Sequence, residues 1–289
     1  MPFYKIKLIL FHDKMDKANF IKWEKWSVHL WEQAENEWIS RNGQDHFYRI
    51  KVVLPALEKE LRRAGGWQSI IDLGCGDAFI LGHLLKRKAI SIKKIRNIVL
   101  IDKCGRFLQR AKSKMQGPSF LTFKGDLNDQ SWIPVVKETR PRRLFLSIFL
   151  LQEIPQLDGL ISNLREVFGE DDLGLFVTVA PFFANLLLST GKMHKETESS
   201  VNRYFRWAAA YPIANNSRSF YLPYFHRTKK EYEKVFKEFG FKIVKHRYLL
   251  VPNERTSHDI FQNTLYGKDI INKPSGLLLV VKKDDSAVF

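Results

Sequence analysis

Ile71-Asp72-Leu73-Gly74-Cys75-Gly76-Asp77-Ala78-Phe79 is the stretch on which the fold turns. A short apolar run that begins at Ser69 ends on an acid and two closely spaced glycines, and a helical pattern follows at once. A chain that passes from strand to helix in so few residues needs unusual backbone dihedrals, and a ligand can approach its main chain closely; glycine permits both. The first helical turn beyond it leaves amides without intrahelical partners. A dinucleotide fingerprint requires a third glycine where the bulky Phe79 stands, so no pyrophosphate fit is indicated. The Asp72 carboxylate at the strand end suits a different ligand, one that carries an ammonium group.

Outward from this turn, buried runs alternate with helical patterns. Apolar strands are predicted at 69–73, 97–101, 120–123, 143–148 and 173–179, with helices at 78–87, 106–115 and 157–168. Alternation at these lengths implies parallel βαβ units. A helix is predicted over 228–239, with Thr228 as N-cap, Glu231 at capping-box spacing and Gly240 as its stop. Strands at 241–251 and 276–282 follow, and the link 252–275 has room for a short helix. Upstream, Phe20, Trp23, Leu30, Trp31, Ala34 and Trp38 recur at helical spacing within 14–40, and a second helix is expected over 47–63.

Between Pro181 and Tyr224 the alternation breaks down, with turn residues at Pro212, Asn215, Asn216, Ser217 and Pro223. This segment reads as an insertion over the C-terminal edge of the sheet. The predicted architecture is a doubly wound α/β fold with a mainly parallel seven-stranded sheet. Its parts are an N-terminal helical cap (1–66), a ligand-binding core (67–180), a substrate-lid insertion (181–227) and a completion of the core sheet (228–289).

The acid-x-Gly-x-Gly turn of Asp72, Gly74, Cys75 and Gly76 resembles the first motif of the class I S-adenosylmethionine-dependent methyltransferases, and three later strand ends agree with it in order. Asp102, followed by Lys103, stands where the family holds an acid on both ribose hydroxyls; a carboxylate with two oxygens is the natural acceptor for a vicinal diol. Asp126 and Leu127 end the third strand, where the family places an acid and the next backbone amide against adenine. The segment from Ser147 through Phe149 to Gln152 ends the fourth, where the family contacts the methionine moiety and the methyl group. The stretch Gly43 to Arg49 is similar to one in small-molecule members whose aromatic and arginine side chains reach the cofactor carboxylate, which assigns Tyr48 or Arg49 that role.

The resemblance implies a Rossmann-like fold, S-adenosylmethionine as cofactor, and in-line transfer of its methyl group to an oxygen or nitrogen of a small-molecule acceptor. His226, in a His-Arg-Thr stretch similar to one that follows the substrate insertion in such enzymes, is the candidate base. Gln152 and Glu153 are the alternative polar contacts. There are two departures. Arg142 and Arg143 stand where many relatives carry an acid. Ser147-Ile148-Phe149-Leu150-Leu151-Gln152-Glu153 replaces the Asn/Asp-Pro-Pro-Tyr-like motif of amino-methylating relatives, which argues against base-amine methylation by that route.

Composition sets the remaining bounds. At 289 residues with 45% apolar side chains, the chain can bury a large core. Two cysteines are too few for a disulfide framework or a zinc cluster, so no metal site is expected. No secretory pattern opens the chain and no apolar stretch approaches ~20 residues, so a cytoplasmic protein with no membrane partner is expected. The formal charge of +16 admits an anionic partner such as nucleic acid. Its densest clusters, Lys86 to Lys88 with Lys93, Lys94 and Arg96, and then Arg140, Arg142 and Arg143, come just before strands, whereas ligands of such sheets bind beyond strand C-termini. Two readings remain beside the small-molecule one: a methyltransferase that docks RNA, DNA or protein through this basic surface, and a non-catalytic module that only binds the cofactor.

Overall fold

A computed structural model describes residues 25–31, 33, 47–115, 120–189, 194–198, 207–215, 218–255, 257–258, 270–284 and 286. Its centre is a seven-stranded sheet. In chain order the strands are β1 (Ser69–Leu73), β2 (Asn97–Asp102), β3 (Phe120–Lys124), β4 (Arg143–Ile148), β5 (Leu173–Val179), β9 (Phe241–Leu250) and β10 (Pro274–Lys283). Their spatial order is β3-β2-β1-β4-β5-β10-β9. The first five are parallel, and β10 runs antiparallel to both β5 and β9. The reversal between β1 and β4 opens a crevice at the strand C-termini, where ligands of such sheets bind.

The strand sequences explain the layering. All five residues of β1 are buried, as a central parallel strand covered on both faces requires. Alternation sends Ile70, Leu144, Leu146 and Leu175 into one apolar layer and Ile71, Leu73, Phe145 and Phe176 into the other. Helix α1 (Leu54–Arg63), α2 (Phe79–Lys86) and α3 (Gly105–Lys114) precede or connect the first strands, with α4 (Ile133–Lys137) and α5 (Asp158–Val167) in the later crossovers. Helix α6 (Pro181–Ser189) follows β5, and α7 (Lys229–Glu238) precedes β9. Thr228 caps α7 in a full capping box with Glu231, as its sequence predicts.

The structure departs from the sequence reading in three places. The helix expected over 47–63 opens with a π-helical stretch, Arg49–Val53, before α1. A short α4 forms between β3 and β4, where the sequence reading placed none. The region read as irregular holds α6 and a three-stranded antiparallel sheet of β6 (His194–Glu198), β7 (Trp207–Asn215) and β8 (Arg218–His226). Of the helix expected over 14–40, residues 25–31 and 33 are described, and all are helical. The remainder of that segment, and residues 259–269 of the link with room for a short helix, lie outside the described residues.

The basic clusters sit as the strand polarity dictates. Lys93 and Lys94 precede β2, and Arg140 and Arg142 precede β4, so both clusters occupy the N-terminal rim. Arg143, at the start of β4, is paired with the buried Asp172 at 3.3 Å. Among the described residues no helix is long and apolar enough to cross a membrane.

Candidate active site

At the opposite rim the ends of β1, β2, β3 and β4 surround one cavity. The glycine turn forms its floor. Gly74 has φ +65, and a Cβ there would lie 2.7 Å from a methyl of Leu150. Gly76 has φ +54, but a Cβ built on it meets nothing within 4 Å, so its main chain faces open space. Gly74 and Cys75 donate their amides to the Ile101 carbonyl, and Gly76 donates to Asp102 Oδ2 at 2.8 Å. Asp102 Oδ1 accepts from the Cys104 amide at 2.8 Å. The second strand-end acid is thus aimed by two backbone donors. Asp126 is fixed in the same way by the Asn128 amide at 2.9 Å.

Asp72 lies beneath this turn and is 4% exposed. Burial, reinforced by the nearby charge of Asp102, pushes its pKa up to about 7. Such a carboxyl gains most from an incoming cation. Burial also raises the Cys75 thiol, helped by Asp72, Asp102 and Asp77, so it stays neutral. Asp77 is held low despite burial by the hydrogen bond and charge of Lys114 and by the charge of Arg49. The Arg49 guanidinium stands 5.9 Å from the centre of the Phe79 ring, at the mouth of the turn. Tyr48 leans on Phe149, with ring centres 6.0 Å apart, and its hydroxyl lies 3.0 Å from Ser275 Oγ.

The loop after β4 closes the other side. Phe149 takes φ +61, costly for an aromatic residue, and its amide donates to the Val177 carbonyl. Gln152 holds that turn: its Nε2 donates to the Phe149 carbonyl, and its Oε1 accepts from Thr178 Oγ1 at 2.9 Å. Burial raises the Glu153 carboxyl well above its ordinary value, opposed by Lys103 and by hydrogen bonds from Trp31 and Gln152. The helical segment 25–31 lies against this loop. Ser27 Oγ donates to the Glu153 carbonyl, and Trp26 meets Phe225 of β8 edge-on. Trp31 meets Phe107 of α3 edge-on and lines the cavity.

Several solved structures share this architecture. An S-adenosylmethionine-dependent methyltransferase from Mesorhizobium loti matches with TM-score 0.52 at 16% identity, over 79% of this chain and 96% of its own. The CcbJ methyltransferase from Streptomyces caelestis matches with TM-score 0.52 at 11% identity, over 87% and 96%. A DhpI–SAM–HEP complex matches with TM-score 0.53 at 14% identity, over 93% and 100%. The chain has the class I methyltransferase fold. No protein-family model and no curated protein matches the sequence.

Within this methyltransferase fold, Asp72, Gly74, Cys75, Gly76, Asp102, Lys103, Asp126, Leu127, Phe149, Tyr48, Arg49, Gln152 and Glu153 all line the one cavity. Two sequence-selected residues do not. Ser147 shares the face of Phe145, away from the cavity, and among the described residues its buried Oγ has no hydrogen-bond partner. Ile148, one residue on, reaches the cavity instead. His226 is 2% exposed, stands 3.3 Å from the Tyr224 hydroxyl through Nδ1, and is not among the cavity-lining residues. Among the described residues no cluster of three or more His, Cys, Asp or Glu could hold a metal.

The residue the sequence reading passed over is Arg227, next to His226. It is 1% exposed, and its guanidinium donates to the carbonyls of Leu151 at 3.1 Å, Ile154 at 2.8 Å and Pro155 at 2.6 Å. The Phe225 amide adds a bond to the Gln152 carbonyl at 2.7 Å. The end of β8 thereby holds the loop that carries Phe149, Gln152 and Glu153 into the cavity. The available signal was an arginine inside the apolar run 222–227, immediately before a helix cap.

Proposed function

We propose that this chain is a cytoplasmic S-adenosylmethionine-dependent methyltransferase that acts on an oxygen or nitrogen nucleophile of a small-molecule acceptor by in-line displacement. The observation that carries the reading is the ring of Asp72, Asp102 and Asp126 around a glycine turn whose Gly76 position opens into free space. These acceptors match the donor groups of one ligand: an ammonium for Asp72, a ribose diol for Asp102 and an adenine amine for Asp126. Arg49 or Tyr48 is assigned the carboxylate. When bound, the cofactor supplies a sulfonium-activated methyl carbon.

The chain's residues supply alignment and water exclusion. Phe149 and Tyr48 wall the cavity on one side, and Trp31, on the helical segment 25–31, on another. Glu153 and Gln152 are assigned the acceptor's polar contacts. The cover formed by segment 25–31 favours a small acceptor. The basic clusters lie at the far rim of the sheet, so the charge of the chain does not favour a macromolecular substrate at this cavity. Two free thiols, Cys75 and Cys104, fit a reducing compartment.

Calorimetric titration with S-adenosylhomocysteine tests the reading. Binding by the native chain is expected, with Asp102→Ala weaker by at least about tenfold because charge-assisted hydrogen bonds are lost. No binding by the native chain, or equal binding by the variant, would remove the assignment.

A further inference from the structure

The cavity has two chemically different ends. Every charged residue among its described lining is engaged at one of them. Asp102 holds the Gly76 and Cys104 amides, Asp126 the Asn128 amide and Asp77 the Lys114 ammonium. Arg49 stands over Phe79, and Glu153 faces Lys103, Trp31 and Gln152. Asp72 sits under the glycine turn, near Asp102.

The other end is built from Phe149, Val179, Phe183, Ile270, Tyr48 and Ser275, all of which line the cavity, and contacts join all but Ile270. Tyr48 packs on Phe149, and Val179 pairs with Gly276, beside Ser275. The Ala180 amide donates to the Ser275 carbonyl, and the Phe183 amide to Ala180 at the start of α6. A Cβ at Gly276 would lie 2.6 Å from the Tyr48 hydroxyl, so the absence of a side chain there makes room for the phenol. The two hydroxyls at this end are satisfied inside the protein: Ser275 Oγ lies 3.0 Å from the Tyr48 oxygen and 3.1 Å from the Leu249 carbonyl. Burial raises Tyr48, so the phenol brings no charge. No carboxylate, ammonium or guanidinium belongs to the described wall of this end.

Taking the methyltransferase reading as given, we propose that the acceptor enters with an uncharged, apolar or aromatic body seated between Phe149, Val179, Phe183 and Ile270. A charged body there would lose its hydration with no partner to replace it. A neutral ring gains from the apolar wall and stacks on Phe149 and Phe183. This wall selects against nucleotides and other phosphorylated acceptors, and it agrees with the basic clusters being placed at the opposite rim.

The experiment uses three probes of one shape. The full chain is saturated with S-adenosylhomocysteine and titrated calorimetrically with 2-naphthol, 2-naphthoate and 2-naphthylmethylammonium. The neutral probe is expected to bind at least tenfold more tightly than either ion. Phe183→Ala should weaken 2-naphthol at least fivefold, with S-adenosylhomocysteine affinity within twofold of native. If that variant fails to fold, Val179→Ala serves the same comparison. Equal or tighter binding of either ion, no binding of 2-naphthol to the loaded protein, or binding of a single-stranded oligonucleotide in its place overturns the proposal. Failure of the first titration, before any naphthalene is added, removes the methyltransferase reading and this inference with it, so the two failures are told apart.

Discussion

Replacing Arg227 by methionine keeps an unbranched apolar stem and deletes three hydrogen bonds to the loop after β4. A buried carbonyl left without its donor costs about 1–3 kcal/mol. Loss of the cation also removes its own desolvation cost, which offsets part of that sum. The net local penalty is about 3 kcal/mol, within the ~5–15 kcal/mol stability of a typical domain, so the variant should still fold. The damage should be local, because the three carbonyls belong to one loop. At about 1.36 kcal/mol per decade, amide exchange over 149–155 should accelerate about 100-fold. The protected amides of β1 should follow only the change in global stability. Because this loop carries Phe149, Gln152 and Glu153 into the cavity, S-adenosylhomocysteine should also bind at least severalfold more weakly. Hydrogen exchange read by mass spectrometry, with calorimetry on the same samples, decides the matter. If exchange in 149–155 rises no more than in β1 and cofactor-product affinity is unchanged, Arg227 does not position the loop.

Asp72 has a folded pKa near 7 against an ordinary value of 3.8, so the folded chain holds its proton more tightly than the unfolded one. Stability of the ligand-free protein should therefore fall as pH rises from about 4 to about 7 and level off above, as urea melts at stepped pH would reveal. Binding of an ammonium-bearing ligand requires the ionised form, so S-adenosylhomocysteine affinity should rise up to about tenfold per pH unit below 7 and flatten above it. Asp72→Asn should abolish that dependence, and a sloping profile in the variant would count against Asp72 as the ammonium partner. Gly74→Ala should cost about 2–3 kcal/mol in a denaturant melt, since it adds left-handed strain to a contact at 2.7 Å with Leu150; a change below 1 kcal/mol would show that the turn relaxes freely. Thr228→Ala should cost about 1 kcal/mol by removing the capping box of α7, measured by the same melt.

The core was legible because its signals are local and repeated. The central parallel strands β1, β2 and β4 are short apolar runs covered on both faces, and Asp72, Asp102 and Asp126 stand at or just past strand ends on the cavity side, so their placement needs no long-range information. The insertion was not legible because its strands break the usual rules. Pro212 and Pro223 read as turn residues, yet both lie within strands. The pairing explains how. Among the described residues β6 reaches β7 from Trp207 to Ala210, so Pro212 lies past the end of that partner, and Pro223 sits on β8, an edge strand of the described sheet. In both places a missing amide leaves no ladder partner stranded. A proline is a strand breaker only where both sides are paired, and sequence alone does not say which sides are.

The two candidates that lie away from the cavity show the same effect. Ser147 was selected because it lies at the end of β4, but strand alternation turns it toward the layer of Phe145, and the left-handed step at Phe149 is what redirects the chain into the cavity. His226 drew notice because imidazole titrates near neutral pH. Its neighbour Arg227, of a residue type normally exposed, turns inward because three carbonyls of a tight loop offer what water would otherwise supply. Strand-end chemistry can be read from one segment at a time. Arg227 acts across more than 70 residues of chain, on carbonyls whose orientation is set only when β8 and the loop after β4 are already side by side, and that is a property of the fold rather than of either segment.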